Sequence, residues 1–305
     1  MSKRDYIIRF LLIIKKLRNS KFATFNEIND YIEREFDIMD SPKNISLRTF
    51  QRDLNEIRSI FNIDIHCNNL NQYYIEEDEH SGFNNRMMEA FDIFNSLSTG
   101  QQLTPFVLLE KRCSLGTEHI YGLLHAIKNR LVVRMDYQKF YETNQTTREV
   151  EPYALKEFKG RWYLLCKDFK DNYTKTFALD RIHGLEITKK KYNYPANLNP
   201  NDYFENCYGI ITSDDSDPEE IVLSFEPFQG KYIKSYPLHE SQKILIDNET
   251  ELRISLYLYE THDLLMELLS YGANLQVIQP KSLIDKMTGV VKDMYKIYNT
   301  EKNKT

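Results

Sequence analysis

No apolar run in this chain approaches the roughly 18 residues that a membrane-spanning helix requires. The longest, "FLLIIKKL", is interrupted by two lysines. The N-terminal "MSKRDYIIRF" lacks a signal-peptide cleavage site, so a cytoplasmic location is expected. Cys67, Cys113, Cys166 and Cys207 form no CxxC pair, which argues against a zinc knuckle or a disulfide framework and for ordinary thiols. Glycines number 10 in 305 residues and build no GxxxxGK[ST], GxGxxG or GxSxG run. Histidines are few. His66 beside Cys67 has no third ligand in reach, His119 and His125 stand too far apart on a helix to share a metal, and His262-Asp263 reads as a helix cap. The expectation is therefore no enzyme, no metal and no cofactor.

The charge is unevenly spread. The chain is net −5, but residues 1–76 are net +1, 77–116 net −3, 117–195 net +5 and 196–305 net −8. Any polyanion should meet the first or third of these stretches, not the acidic C-terminal part.

Length alone predicts two or three domains. Residues 4–18 have helical apolar spacing. Thr24 with Glu27 three residues on is a capping box opening a second helix, and "DIMDSPKN" is a turn around Pro42. A third helix should start at Ser46, with Leu47, Phe50, Leu54, Ile57 and Phe61 on its apolar face. Its other face begins with Arg48, Thr49, Gln51, Arg52 and Asn55, all hydrogen-bonding types. Two short strands joined by "NNLN" follow. Three helices and a hairpin in residues 1–76 predict a winged helix-turn-helix whose third helix enters the major groove of double-stranded DNA. A small helical domain with a solvated polar face is the bland alternative.

Residues 77–130 read as a linker, with connecting helices near 86–97 and 117–130 that could carry a dimer contact. From Leu131 the period becomes two. Five short strands over 131–195 predict a bent antiparallel sheet or small barrel. The single tryptophan lies here, in "GRWYLLCKDF". Trp162, Leu164 and Cys166 fall on one face, Arg161 and Tyr163 on the other. An Asn-, Asp- and Pro-rich stretch at 192–217 marks a boundary. Residues 218–305 then read β-α-β-β-α-β with a last helix, the ferredoxin-like pattern. The overall class is multidomain α+β.

"GRWYLLCKDF" followed by "TFALDRI" resembles the WYL domain, whose Trp-Tyr-Leu stands here at Trp162, Tyr163 and Leu164. "DYQKF…TREVEPYAL" fits the same domain. "SLRTFQRDLNEIRSIFNIDI" resembles the helix-turn-helix that commonly precedes it in bacterial regulators. "LLSYGANLQVIQPKSL" resembles the C-terminal extension of those proteins. The resemblance implies an Sm-like barrel in a homodimeric transcriptional regulator. Some members control phage-defence or DNA-damage responses, with nucleic acid or a nucleotide as the suspected effector. It places the effector pocket at Tyr137, Arg148, Tyr153, Arg161, Tyr163, Lys175 and Arg181. The chain departs from the family at Ala178, where a basic residue is frequent, and at Lys175, where arginine is common. Arginine beside an aromatic suits a phosphate and a stacked base. The competing function class is an RNA- or single-stranded-DNA-binding protein whose N-terminal domain serves assembly.

Overall fold

The computed structural model describes residues 3–38, 45–76, 115–213 and 216–300. The chain divides into two units, Met1–Lys111 and Arg112–Thr305. The turn expected around Pro42, the helix expected near 86–97 and Cys113 lie outside the described residues.

In the first unit the order is α1 (Lys3–Asn19), β1 (Ala23–Thr24), α2 (Phe25–Ile38), α3 (Leu47–Phe61), β2 (Ile65–Cys67) and β3 (Gln72–Ile75). The capping box forms: Thr24 N–H and Oγ1–H donate to Glu27 Oε2 at 2.7 and 2.9 Å, and Glu27 N–H donates back to Thr24 Oγ1 at 3.4 Å. Ser46 caps α3 by accepting from Thr49 N–H. Asn62, in the left-handed region, ends it with its N–H on the Arg58 carbonyl.

The apolar face of α3 is set by Phe50, Ile57 and Phe61, all buried, with Leu54 half-buried. Leu47 is a correction: it is exposed, because it occupies the first turn, beyond the reach of the core. They pack into a core built from Ile13, Ile14, Ile28, Ile32 and Phe36 of α1 and α2. Burying such a side chain contributes about 1.5–3 kcal/mol. The alternation did not foresee β1, two residues that pair with β3 and make the hairpin a three-stranded sheet of order β1-β3-β2.

The second unit opens with a 3-10 turn (Thr117–His119) and α4 (Ile120–Asn129). Five strands follow: β4 (Leu131–Tyr137), β5 (Thr146–Phe158), β6 (Arg161–Asp168), β7 (Thr174–Ala178) and, after a 3-10 turn at Leu179–Arg181, β8 (Ile182–Lys191). They form one antiparallel sheet of order β7-β6-β5-β4-β8. Register shifts at Pro152–Ala154 in β5 and at two points along β4–β8 mark where the ladder is interrupted. Such bulges bend strands and raise their twist.

Both faces of this sheet are covered. Leu164 and Cys166 are buried with Val133, Met135, Val150 and Phe177 under Leu123 and Ala126 of α4, and Trp162 packs half-buried against them. On the other face Leu165, Val132 and Tyr153 are buried with Tyr192, Phe204 and Cys207. The stretch 192–213 therefore contributes core: it holds a short helix, α5 (Pro200–Phe204), capped by Asn199.

The remainder is β9 (Glu219–Phe225), α6 (Pro227–Ser235), β10 (Lys243–Asp247), β11 (Leu252–Leu258), α7 (His262–Ser270), β12 (Leu275–Gln279) and α8 (Lys281–Thr300). The sheet order is β10-β11-β9-β12, with all pairs antiparallel. Ile221, Leu223, Ile254, Leu256, Leu264 and Leu268 fill its core. The cap of α7 is Thr261, whose side chain accepts from Leu264 N–H. His262 and Asp263 were expected in that role; Asp263 instead accepts from the Ile210 and Ile211 N–H groups at 3.0 and 3.2 Å, tying α7 to the 192–213 stretch.

Candidate functional site

The second unit holds a cleft of about 400 Å³ with a basic wall. Lys139, Arg148, Lys170, Lys175 and Arg181 line it. Tyr137, Thr176, Phe177 and a single carboxylate, Asp171, complete the wall. Cross-strand register explains the convergence. Met135 pairs with Arg148, Val150 with Asp168, Cys166 with Lys175 and Leu164 with Phe177. Directly opposed residues share a face. Arg148, Asp168 and Lys175 thus continue the face that carries Trp162, Leu164 and Cys166, and the cleft lies at the far end of that core.

Asp168 organises the cleft from below. It is fully buried, and its Oδ2 accepts from Arg148 Nη1 and Lys175 Nζ, each at 3.1 Å. Arg148 Nε also donates to Thr146 Oγ1 at 3.2 Å. Lys175 donates as well to Asp171. Partial burial lowers the Lys175 ammonium pKa, but its bonds to Asp171 and Asp168 raise it by more, so it stays charged. One buried carboxylate pins two cations, which cuts the freedom they would lose on meeting an anion.

Arg181 closes the other side. Its guanidinium sits 3.9 Å from the centre of the Phe140 ring, a cation–π arrangement. Its Nε is buried and has no hydrogen-bond acceptor among the described residues. Burial pushes the Tyr137 phenol up from its ordinary pKa, and the neighbouring Arg181 charge pulls it partly back. Phe140 and Tyr141 stand exposed on the β4–β5 connection.

Of the seven residues expected to line an effector pocket, Tyr137, Arg148, Lys175 and Arg181 meet here. Arg161 and Tyr163 do not line the cleft; Arg161 Nη1 is paired with Asp180 at 2.8 Å. Tyr153 is buried on the opposite face, donating to Glu151 Oε2 at 2.7 Å beside Tyr192 and Tyr194. Lys139 and Lys170 were missed. Both sit on connections between strands, where alternation carries no information, although the excess of basic residues in 117–195 pointed to the region.

In the first unit, Arg48, Gln51, Arg52 and Asn55 are exposed on α3, and Thr49 is half-buried. The Thr49 hydroxyl lies 2.9 Å from Ser46 Oγ, within the helix cap. The Arg52 guanidinium lies 5.8 Å from the ring centre of Tyr6 on α1. The polar face of α3 thus presents two guanidiniums and two amides on a capped helix.

Comparison with known proteins matches two stretches of the second unit. Residues 118–187 match the WYL domain and residues 217–295 the WCX domain. A stretch of 74 residues is 38% identical to Protein PafB of Mycobacterium tuberculosis (strain ATCC 25618 / H37Rv) and, equally, of Mycobacterium bovis. It covers 24% of this chain and only 22% of those proteins. Among solved structures, the proteasome accessory factor B/C (PafBC) of Arthrobacter aurescens aligns over 93% of this chain and 46% of that one, at 17% identity and a TM-score of 0.33. A CRISPR Cas-related protein aligns over 98% and 85%, at 10% identity and a TM-score of 0.39. The chain thus carries a stretch that matches the WYL domain, followed by one that matches the WCX domain.

Proposed function

We propose that this protein is a DNA-binding transcriptional regulator whose WYL domain binds a phosphate-bearing effector. The cleft carries the proposal: five cations and one carboxylate converge on its wall, two of the cations pinned by buried Asp168. Guanidinium groups make charge-assisted, bidentate bonds to phosphate. The exposed Phe140 ring beside Arg181, with exposed Tyr141 next in sequence, suits a base attached to that phosphate. A nucleotide or single-stranded nucleic acid therefore fits better than a bare anion.

The DNA-binding half of the proposal rests on the first unit. Its order α-β-α-α-β-β, with a capped and polar third helix before the hairpin, supports the reading as a winged helix-turn-helix. We read Arg48, Gln51, Arg52 and Asn55 as the groups facing the duplex, with Thr49 fixing the helix start. The second unit supplies two further readings. A leading helix, the order β7-β6-β5-β4-β8 and a 3-10 turn before the last strand fit an Sm-like barrel. The order β10-β11-β9-β12 with β-α-β-β-α-β connectivity fits a ferredoxin-like domain. A homodimer on a two-fold operator follows from the short reach of one recognition helix. The role is regulatory and cytoplasmic, not enzymatic.

The test is fluorescence anisotropy of a duplex from the protein's own promoter region, titrated with and without a short single-stranded oligonucleotide. Operator affinity should change at least about tenfold when the oligonucleotide is present, a coupling near 1.4 kcal/mol. Tight single-strand binding with no duplex binding, and no change on deleting residues 1–76, would instead indicate a single-strand-binding protein.

A further inference from the structure

Arg181, which faces the cleft, stands at the end of the 3-10 turn Leu179–Arg181. Gln138 N–H donates to the Arg181 carbonyl at 3.2 Å, which fixes the turn to the root of the β4–β5 connection. From the other side it is held by the stretch that leads into α4. Gly116 has φ +80°, and a Cβ placed on it would lie 2.5 Å from the Leu179 carbonyl oxygen and 2.6 Å from the Asp180 nitrogen. Only glycine permits so close an approach of two backbones in this conformation. Three residues on, His119 Nε2 lies 3.0 Å from the Ile182 carbonyl oxygen. A carbonyl only accepts, so the imidazole donates and its Nε2 carries the proton. His119 N–H bonds the Gly116 carbonyl at 3.2 Å, which joins the two contacts into one clamp.

The same stretch is covalently the way in from the first unit: every residue before 115 reaches the WYL domain through Leu115 and Gly116. The turn carrying Arg181 is therefore bounded by the cleft on one side and by the incoming chain on the other.

We propose that Gly116 and His119 are positioning residues of the anion cleft, which set the 179–182 turn so that cleft occupancy and the backbone path at 115–119 change together. This rests on the reading of the cleft as an anion site. Arg181 Nε–H has no acceptor among the described residues. A phosphate oxygen that takes it draws the guanidinium, and with it the turn, toward the cleft. The turn cannot move without displacing Gly116, whose backbone is in contact with it, or stretching the His119 bond. By linkage the dependence runs both ways: a displacement at 115–119 changes anion affinity by the same factor.

The experiment uses the full chain with pyrophosphate as probe. Its affinity is read by calorimetry and its reach by hydrogen exchange. In the parent, pyrophosphate should slow amide exchange at 179–182 and also at 115–119. His119→Leu removes the donor and should weaken pyrophosphate binding by about fivefold, while His119→Gln, whose amide can donate, should stay within about twofold of the parent. Gly116→Ala, whose Cβ would displace the 179–182 turn, should weaken pyrophosphate binding and lose the protection at 115–119. If the parent binds pyrophosphate, exchange at 115–119 is unaltered and His119→Leu binds as the parent does, this inference alone is overturned. If the parent binds no pyrophosphate, the anion-site reading falls and takes this one with it. Should either variant fail to fold, the exchange pattern of the parent still decides.

Discussion

Arg9 of α1 and Asp53 of α3 are joined by a two-pronged ion pair inside the first unit, Nε to Oδ2 at 2.5 Å and Nη2 to Oδ1 at 2.7 Å. Both side chains are essentially inaccessible. The Arg9 guanidinium also lies 5.1 Å from the Tyr6 ring centre and 5.9 Å from that of Phe10. The pair fixes α3, the helix that carries Arg48, Gln51, Arg52 and Asn55, against the first helix of the unit.

Breaking this pair should be costly, because it removes a carboxylate that compensates a buried guanidinium. Asp53→Ala is expected to lower the stability of the first unit by about 3–5 kcal/mol. Arg9→Met combined with Asp53→Leu should recover most of that loss, since both members of the pair are then apolar. Hydrogen exchange of α1 and α3 amides measures the effect; equal loss in the single and double variants would contradict it.

The α3 surface should behave oppositely. Arg48→Ala and Gln51→Ala each remove an exposed group and should leave stability within about 0.5 kcal/mol. Operator binding should weaken by about 1–3 kcal/mol where the residue reads a base. Arg52→Ala is expected to lose slightly more stability than Arg48→Ala, because its guanidinium rests near Tyr6. Anisotropy titrations and thermal melts separate the two effects.

In the cleft, Arg181→Ala and Arg148→Ala should each weaken oligonucleotide binding by about 1.5–3 kcal/mol, the range for hydrogen bonds to charged groups. Tyr153→Phe should leave it unchanged, since Tyr153 faces the other side of the sheet. Arg161→Ala should have a smaller effect than Arg181→Ala, because Arg161 is paired with Asp180 and does not line the cleft. Calorimetry on the four variants ranks them.

A pH dependence should come from Glu267 on α7. Burial raises its pKa, but bonds from Lys159, Tyr271 and Tyr208 outweigh this and leave it below the ordinary 4.5. Lys159 donates at 2.6 Å and Tyr271 at 2.8 Å. A depressed carboxyl stabilises the fold above its unfolded pKa, and that contribution disappears as pH falls through the folded value. Glu267→Gln should therefore cost stability at pH 7 and flatten the loss below about pH 4.5. Trp162, the one tryptophan, reports urea unfolding of this unit by its fluorescence. An acid limb identical in parent and variant would exclude the assignment.

Much of the fold was legible because it is written in period. The α3 spacing, the Thr24–Glu27 box and the strand order of elements from Leu131 onward all depend on near neighbours. The Arg9–Asp53 pair does not. Asp53 falls on the apolar face between Phe50 and Ile57, which marks it as unusual, but its partner is set by how two helices cross. The cleft was half legible for a similar reason. On β5, alternation alone puts Tyr153 opposite Arg148, and on β6 it puts Arg161 and Tyr163 opposite Asp168. The family resemblance grouped residues that the pleat separates. Asp168, the counter-ion that pins Arg148 and Lys175, carries no local signal in the sequence, because its burial arises only when β5 and β7 close around it.

The double covering of the central sheet has a consequence for how its strands find one another. A strand with one wet face is held in register by the cost of turning its greasy side to water. From Leu164 to Cys166, β6 is buried on both faces, so a slip by one residue would exchange one apolar side chain for another at little cost. What pins the pairing is local. The two-residue turn Lys159–Gly160, with φ +47° and +73°, closes the β5–β6 hairpin, and the irregularity at Pro152–Ala154 takes up one residue farther along. A single residue inserted in that turn would leave hydrophobic burial nearly intact. It would still move Asp168 to the wrong side of the sheet, yielding a folded protein with no floor to its cleft.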